Sequence, residues 1–389
     1  MKNDRDFYIA TEKEIKDGLV TDIYFQRTKQ VLDAYGIHKV VSAEFIVKGF
    51  PEGTDFGVFT GLKEVINLLR GKKVTLRALP EGTIFKTWMP VMEVVGDYLE
   101  FGLYETAMLG FICQSSGIAT KSARCKKAAQ GRPVISFGTR RMHPSIAPMI
   151  ERSAYIGGCD GVSTILSANL LGIKPTGTMP HALILIFGDT VEAAKAFDSV
   201  IPEEVPRIVL IDTFLDEKFE AIRVADALKD RLFGIRLDTP GSRRGDFRRL
   251  LDEVRWELNI RGFERVKIMV SGGINEEKIK NLNDYCDGYG VGTAISSAST
   301  IDFSMDIVEV EGKFCAKRGK HSGRKDILRC KNCYSDYIVP LGVKKDCQCG
   351  GETICLLKVF IDNGEVVDEV PEENVIREYV LNQMERIII

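Results

Sequence analysis

Four of the ten cysteines in the sequence stand in two close pairs. Cys330 and Cys333 form a CKNC motif, and after thirteen intervening residues Cys347 and Cys349 form CQC. Two such pairs brought together by a hairpin are typical of a tetrahedral zinc site, whereas unrelated thiols or a redox CxxC would not need the second pair. Because the protein supplies all four ligands, the pattern predicts a structural zinc ion rather than a catalytic one.

Two glycine clusters have the arrangement of phosphate-binding loops. MVSGGINEE places Gly272 and Gly273 between an apolar run and a helical pattern, and YGVGTAIS repeats this arrangement with Gly292 and Thr293 one βα unit later. At such a junction, backbone N–H groups and the start of the helix face an anion. Glycine also serves tight turns, so the repetition in successive final units is what favours a phosphate site.

Three further polar residues stand at the ends of apolar runs, namely His181 in GTMPHAL, Asp212 in LIDTF and Asp238 in IRLDTPG. A carboxylate in apolar company needs a cation, a metal ion or a hydroxyl as partner, which makes both aspartates functional candidates. A lone histidine beside apolar residues is more often hydrogen-bonded inside the protein than catalytic. Its position favours a catalytic role for His181 without deciding it.

Apolar runs and helical patterns alternate from about residue 133 to residue 300, which is typical of a parallel barrel or a doubly wound sheet. Seven runs are expected to be strands: Val134–Phe137, Gly161–Thr164, Gly177–Met179, Ile208–Asp212, Phe233–Asp238, Lys267–Ser271 and Gly288–Val291. Polar residues gather at the C-terminal ends of these runs, where the active sites of α/β barrels lie. The predicted fold class is therefore α/β, with a seven-stranded barrel.

The flanking segments have a different pattern. The first hundred or so residues combine short strands with helices, which predicts an open sandwich, and the alternation in 301–317 predicts strands that pair back onto it. From residue 329 the chain holds the cysteine pairs, a predicted hairpin around Asp362–Gly364 and a last helix. We expect three domains, 1–118 joined by 301–328, then 119–300, then 329–389.

Composition narrows the class of function. The chain has 389 residues, of which 44% are hydrophobic, and a net charge of −2. With so small a net charge, the surface as a whole has no positive electrostatic potential that would attract nucleic acid or an anionic membrane. We expect neither a signal peptide nor a membrane span. The other six cysteines are predicted to be free thiols of a reducing compartment, so a cytoplasmic protein is expected.

The motifs, taken in order, resemble those of the nicotinate phosphoribosyltransferase family. The series is TDIYFQRT (21–28), SFGTRRMHP (136–144), GCDGVST (158–164), GTMPHAL (177–183), LIDTF (210–214), IRLDTPG (235–241), SGGIN (271–275) and YGVGTA (289–294). The resemblance covers about residues 10–325. It implies the type II fold, an N-terminal α/β sandwich with an irregular seven-stranded α/β barrel. It also implies transfer of phosphoribose from phosphoribosyl pyrophosphate to nicotinate, with coupled ATP hydrolysis, in NAD biosynthesis.

The same resemblance implies roles for residues around the pyridine ring. Phe137 would stack on one face of the ring, and Tyr24 would cover the other face from a neighbouring subunit. Arg140 would pair with the nicotinate carboxylate or a nearby phosphate, as its planar fork allows. Ser163 stands where nicotinamide-specific relatives place an aspartate, and the absence of that negative charge favours nicotinate.

Other implied roles concern the phosphates and the assembly. Ribose or phosphate contacts are implied for Arg236, Asp238, Asp212, Gly272, Gly273, Gly292 and Thr293. Lys317, Lys320 and Arg324 would supply cations to the pyrophosphate, and His181 matches the histidine that ATP phosphorylates. Magnesium with phosphoribosyl pyrophosphate, ATP as co-substrate, and a homo-oligomer with shared active sites, a dimer or a larger ring, are implied as well.

The sequence departs from the family pattern in two places, and two alternative functions stay open. LDTPGSRRGDF differs from the usual short loop of the family, which leaves the roles of Arg243 and Arg244 undefined, and the cysteine module is not a general family feature. The first alternative is a quinolinate-type transferase, against which the chain length and His181 argue. The second is a zinc-ribbon protein that binds nucleic acid or a partner, although acidic residues cancel the positive charge of that segment.

Overall fold

The computed structural model describes residues 5–51 and 53–386 of the chain, which forms two units. The first unit comprises Met1–Thr120 and Ser299–Ile389, and the second comprises Lys121–Ala298. Across the described residues, no helix combines the length and the apolar character that crossing a membrane requires.

The N-terminal part of the first unit combines helices with short strands. Its elements are α1 (Glu12–Lys16), α2 (Ile23–Ala34), β1 (Val40–Val47), β2 (Gly57–Val58), α3 (Leu62–Leu69), β3 (Val74–Ala78), β4 (Ile84–Phe85), β5 (Met92–Asp97), α4 (Tyr98–Phe101) and α5 (Glu105–Ala128), which continues from Lys121 onward into the second unit. Helix α2 begins after Asp22, whose carboxylate accepts a hydrogen bond of 2.8 Å from the Thr106 hydroxyl. The chain leaves this helix through Gly36, whose φ of +60° suits glycine.

The second unit alternates strands and helices, as its sequence pattern predicts. Its elements are β6 (Val134–Ser136), α6 (Ala147–Ile156), β7 (Gly161–Val162), α7 (Ile165–Leu170), α8 (His181–Phe187), α9 (Thr190–Val200), β8 (Arg207–Leu210), α10 (Glu217–Leu228), β9 (Leu232–Leu237), α11 (Phe247–Asn259), β10 (Lys267–Val270), α12 (Glu276–Leu282), β11 (Gly288–Val291) and α13 (Thr293–Ser296). The α/β fold class is confirmed.

The strands of the second unit form one curled parallel sheet in the order β7-β6-β11-β10-β9-β8. The prediction that Gly177–Met179 forms a further strand is wrong, so the described residues give this sheet six strands rather than seven. The amide of Thr176 donates to the carbonyl of Val162 at 2.8 Å, so the segment runs beside β7. Pro175 and Pro180 flank it, however, and proline has no N–H for a continued ladder.

The chain then returns to the first unit. Its last elements are β12 (Phe303–Val310), β13 (Lys313–Phe314), β14 (Lys325–Cys330), β15 (Asp336–Pro340), β16 (Thr353–Cys355), β17 (Lys358–Asp362), β18 (Glu365–Val366) and α14 (Glu373–Arg386). Strands β15, β14 and β16 form a sheet in that order. Cys330 is the last residue of β14, and Cys333, Cys347 and Cys349 lie in the loops between these strands.

An antiparallel sheet in the order β13-β12-β1-β5-β3-β17-β18 forms the centre of the first unit. Strand β12 pairs along most of β1, from Val41 opposite Val310 to Val47 opposite Phe303, as the alternation in 301–317 predicts. Leu62, Val65 and Leu69 of α3 are buried in one core with the side chains of this sheet. The predicted N-terminal α/β sandwich is therefore confirmed.

The C-terminal segment contributes to the same sheet. Strand β17 pairs with β3, and β18 follows it through a tight turn in which Asn363 and Gly364 both have positive φ, +46° and +89°. Such a pair is favoured in two-residue hairpins because their twist matches that of the strands. That residues 329–389 form a domain of their own stays a prediction.

Candidate active site

The strand ends of the second unit bring an aromatic ring next to a cation. Phe137 follows β6 directly, and its amide donates to the carbonyl of Val291 at 2.8 Å. A side chain at Gly290 would collide with the Phe137 ring, so glycine is required there for the ring to lie in this position. The guanidinium of Arg236, near the end of β9, lies 5.7 Å from the ring centroid. A flat surface and a fixed positive charge therefore lie side by side.

Arg236 is largely buried. Burial lowers its pKa, against the opposing effect of Asp238 and Asp212. One guanidinium nitrogen donates to the Thr178 hydroxyl, whereas Nε has no partner among the described residues. A buried donor without a partner is costly, which is typical of a site that takes an acceptor ligand.

His181 and Asp212 form a pair at the same end of the sheet. Helix α8 begins at His181, and its Nε2 lies 3.1 Å from Oδ1 of Asp212. The Asp212 side chain is only 2% exposed, and its Oδ2 accepts the amide of Asp238 at 3.2 Å. Burial raises the pKa of Asp212, which the contact with His181 offsets in part. An imidazole that donates from Nε2 carries its lone pair on Nδ1, so Nδ1 is the nucleophilic atom.

The first glycine cluster forms a tight turn between β10 and α12, here called the nest. Gly272 and Gly273 both have positive φ, +78° and +64°, a turn conformation of the kind in which backbone N–H groups bind anions. A side chain at Gly272 would come within 2.8 Å of Oδ1 of Asp238, the same oxygen that accepts the Ser271 hydroxyl at 2.8 Å. The second cluster, Gly292 and Thr293, lies at the end of β11, where α13 begins.

Arg244, whose role was left open by the sequence, holds the nest in place. Its Nη2 donates to the carbonyls of Ser271, at 2.7 Å, and Gly272, at 2.5 Å, and its Nε donates to the carbonyl of Thr239. The guanidinium also lies 4.4 Å from the centroid of Phe247. The loop after β9 is thereby fixed to the loop after β10.

The two residues implied in substrate choice have different environments. Arg140 lies in a short 3-10 turn after Phe137, is exposed, and has no hydrogen bond or ion pair from its side chain within the described ranges. Ser163 follows β7 and donates its hydroxyl to Glu151 at 2.8 Å. Sequence reasoning missed Glu151. The available signal was a charged residue on the buried face of α6, between Ile150 and Ala154.

The substrate-binding residues predicted in the first unit are held in ion pairs, with one exception. Lys317, at 2.6 Å, and Lys320 both bind the carboxylate of Asp306, and the Lys320 side chain is 1% exposed against 65% for Lys317. Arg324 binds Glu93 through two nitrogens, at 3.0 and 2.7 Å. The exception is Tyr24, which is 57% exposed on α2. The roles of these residues stay predictions.

The cysteine cluster consists of Cys330, Cys333, Cys347 and Cys349, whose sulfur atoms all lie within 4.8 Å of one another. The Sγ atoms of Cys330 and Cys349 are 3.5 Å apart, and those of Cys333 and Cys347 are 3.4 Å apart. Zn–S bonds of about 2.3 Å in a tetrahedron require about 3.8 Å between sulfurs. Hydrogen bonds with Ser335 lower the pKa of Cys333 to about 6. Against a backbone hydrogen bond from Gly351, the other three cysteines raise the pKa of Cys349 to about 12.

Comparisons with known proteins agree with this geometry. Two family profiles match adjoining stretches, the N-terminal domain of quinolinate phosphoribosyl transferase over residues 22–116 and its C-terminal domain over residues 118–306. A solved structure from Pyrococcus furiosus, named nicotinate-nucleotide pyrophosphorylase, is 54% identical, covers 98% of both chains and has a TM-score of 0.97. The structure of human nicotinic acid phosphoribosyltransferase, 19% identical over 94% of both chains, has a TM-score of 0.72 and shows the same fold.

A curated relative carries the family assignment. Nicotinate phosphoribosyltransferase of Mycobacterium tuberculosis is 31% identical over 334 residues, which are 80% of this chain and 70% of that protein. The resemblance seen in the ordered motifs is thereby confirmed. With the phosphoribosyltransferase fold, the aromatic ring beside a buried cation and the glycine nest all present, the chain belongs to the nicotinate phosphoribosyltransferase family.

Proposed function

We propose that the protein is a nicotinate phosphoribosyltransferase, which makes nicotinate mononucleotide and pyrophosphate from nicotinate and phosphoribosyl pyrophosphate for NAD biosynthesis. One observation carries the proposal: Arg236 lies over the Phe137 ring, and the nest of Gly272 and Gly273 lies at the ends of the same sheet. A pyridine carboxylate has a flat ring and a negative charge, and a phosphoribosyl group ends in a phosphate. The site has a complement for each.

The reaction explains why the site is rich in fixed charges. Positive charge develops at C1′ of the ribose while pyrophosphate departs as an anion, so the enzyme needs cations at the leaving group and carboxylates near the ribose. Asp212 and Asp238 are two carboxylates at this end of the sheet. Together with substrate phosphates they would supply the oxygen ligands that Mg²⁺ prefers, and the ion would neutralise charge on the pyrophosphate.

ATP hydrolysis is the finer part of the proposal. His181 is the candidate phosphate acceptor, because its contact with Asp212 leaves Nδ1 free to attack the γ-phosphorus, from which ADP departs. The carboxylate would also stabilise positive charge on the imidazole during transfer. A phosphohistidine next to the nest would couple ATP to substrate binding and pyrophosphate release.

We propose further that the cysteine cluster holds one structural zinc ion and that the enzyme is a homo-oligomer with shared sites. Sulfur spacing supports the zinc ion. The exposure of Tyr24, an aromatic residue that the family resemblance assigns to a neighbouring site, supports an assembly of at least two chains.

A quinolinate-type transferase is the second candidate, since the matching family profiles carry that name. The pair of His181 and Asp212 favours the ATP-coupled reaction instead. The deciding experiment measures product from phosphoribosyl pyrophosphate with nicotinate, nicotinamide or quinolinate, each with and without ATP. We expect nicotinate mononucleotide from nicotinate, made faster with ATP. Release of CO₂ from quinolinate, with no product from nicotinate, would overturn the proposal.

A further inference from the structure

A buried carboxylate that the proposed chemistry does not use lies beneath the ends of β6 and β7. Glu151, on α6, has no exposed surface. Its Oε1 accepts from the Thr139 hydroxyl at 3.0 Å, the Ser163 amide at 2.9 Å and the Ser163 hydroxyl at 2.8 Å. Its Oε2 accepts from the amide and the hydroxyl of Thr164, at 3.1 and 2.5 Å. One side chain therefore ties the loop after β6 to the loop after β7.

These hydrogen bonds decide whether the hydroxyls of Thr139 and Ser163 donate to other groups or only accept from them. A serine or threonine hydroxyl has one hydrogen, and an ionised carboxylate accepts hydrogen bonds without donating any. Since the hydrogens of Thr139 and Ser163 point to Glu151, both oxygens face other neighbours as acceptors only. The two oxygens are 3.4 Å apart, so they form one short acceptor edge.

An acceptor edge has a consequence for a ring that carries a carboxylate. The carboxylate of nicotinate also only accepts, so Ser163 cannot donate to it while Glu151 holds the hydroxyl hydrogen. Arg140 lies in the turn that contains Thr139 and has no side-chain partner among the residues that the structure describes. Its guanidinium is therefore a donor that the carboxylate can use.

We propose that Glu151 is a positioning residue for substrate choice: by fixing Thr139 and Ser163 as an acceptor edge, it turns the ring carboxylate towards Arg140. The inference rests on the proposed function, because it assumes a pyridine carboxylate in this site. It assigns to a buried side chain, without contact to the substrate, control over which substituent the ring site accepts.

Replacement by glutamine tests this role, because the shape is kept while one acceptor oxygen becomes an NH₂ donor. Whichever way the amide turns, it meets a backbone N–H, of Ser163 or of Thr164, that then has no acceptor. For Glu151→Gln we expect the displaced loops to stop presenting the ring carboxylate to Arg140, so that its hydrogen bond to a charged group is lost. The KM for nicotinate should then rise about tenfold or more, and the KM for phosphoribosyl pyrophosphate should change little.

A matched control separates this role from simple destabilisation. Glu220, on α10, is equally buried and binds the Thr190 hydroxyl and Arg223, neither of which is a candidate site residue. Glu220→Gln should lower the melting temperature and leave both KM values unchanged. If Glu151→Gln behaves in the same way, with unchanged KM values, the positioning role is wrong.

A double-mutant cycle tests whether Glu151 acts through Ser163. The effect of Glu151→Gln on the nicotinate KM should shrink several-fold in a Ser163→Ala background, whereas equal effects in both backgrounds would contradict the inference. All measurements use the pyridine carboxylate that the parent enzyme converts. A parent that converts only quinolinate therefore overturns the proposed function, while the comparison between the variants still decides the role of Glu151.

Discussion

Nε2 of His181 lies 3.1 Å from Oδ1 of Asp212, and Asp212 in turn accepts a hydrogen bond from the amide of Asp238. The imidazole, a buried carboxylate and the end of β9 are therefore linked by hydrogen bonds. The carboxylate fixes the orientation of the ring and is an acceptor for a hydrogen on Nε2. What the ring does in that orientation is open to direct test.

Removal of His181 should uncouple ATP from the transfer reaction. In His181→Ala, ATP should no longer stimulate nicotinate mononucleotide formation, while a slow ATP-independent reaction continues because the ring and phosphate contacts are intact. The parent should take up acid-labile, base-stable label from ATP, and the variant should not. His143→Ala is the matched control, because His143 is an exposed histidine of the same unit that contacts Ser145. A stimulation ratio equal to that of the parent would end the phosphohistidine hypothesis.

Arg244 should control the affinity for phosphoribosyl pyrophosphate. Arg244→Ala removes the donors that hold the carbonyls of Ser271 and Gly272, so the nest loses its shape. We expect the KM for phosphoribosyl pyrophosphate to rise about tenfold to a hundredfold, which corresponds to about 1.5–3 kcal/mol for hydrogen bonds to a charged group, with a smaller change for nicotinate. The neighbouring Arg243 is exposed, and Arg243→Ala should differ little from the parent. Equal effects of the two substitutions would count against the assignment.

Zinc should be present at about one ion per chain when the purified protein is measured by atomic emission. Cys347→Ser removes a ligand and should lower both the zinc content and the stability of the segment around β14 to β16, because metal binding contributes to its folding. Cys315→Ser replaces an exposed cysteine outside the cluster and should change neither. Full zinc content in the Cys347 variant would exclude the four-sulfur site.

Glu105 makes the stability of the first unit depend on pH. Burial, and next the nearby Asp306 carboxylate, raise the pKa of Glu105 to about 7 from its usual 4.5. Because the folded protein holds this proton more tightly than the unfolded chain does, the free energy of unfolding falls as pH rises between these two values. Glu105→Gln removes that loss and should raise stability at about pH 8, by about 1–2 kcal/mol after allowance for solvent screening, and much less at about pH 5.

Thermal melting at the two pH values measures the effect. Glu12→Gln, at a side chain that is 92% exposed on α1, should shift the melting temperature little and equally at both. An equal shift for Glu105→Gln at both pH values would show that its pKa is not raised.

Tyr24 provides a test of shared sites. If Tyr24 of one chain completes the ring site of another, Tyr24→Ala and Arg140→Ala chains should each be nearly inactive alone. Random mixing of the two should restore about a quarter of the parent activity, since half of the dimers are mixed and each mixed dimer has one intact site. No recovery after verified subunit exchange, or full activity in a diluted monomer, would exclude a shared site.

Local patterns predicted the parts of the molecule that depend on short stretches of chain. The nest at Gly272 and Gly273 and the turn at Asn363-Gly364 each lie within a few residues, and the cysteine cluster consists of two close pairs between residues 330 and 349. The chemistry of all three follows from residue type and spacing. The same holds for the strands around Val134, Lys267 and Gly288, whose apolar runs are continuous.

Contacts between distant segments were not predictable in this way. Glu151 joins two loops through a helix, and the only local sign is an acid on a buried face. The extended segment at Gly177 resembles a strand in composition, yet flanking prolines prevent a ladder. The ion pairs of Lys320 and Arg324 with Asp306 and Glu93 depend on sheet register, which no single stretch of the sequence specifies.

Strand β3 lies between β5 and β17, two neighbours that come from opposite ends of the chain. While the ribosome is still translating the stretch in between, β3 has one unpaired edge, although Val74, Leu76 and Ala78 become buried in the finished fold. An apolar strand with a free edge is a template for aggregation. The second unit is one continuous stretch and is able to fold during translation, whereas the first unit is completed only when synthesis is nearly over. A stop codon before residue 358 would therefore leave an adhesive sheet edge in the nascent protein.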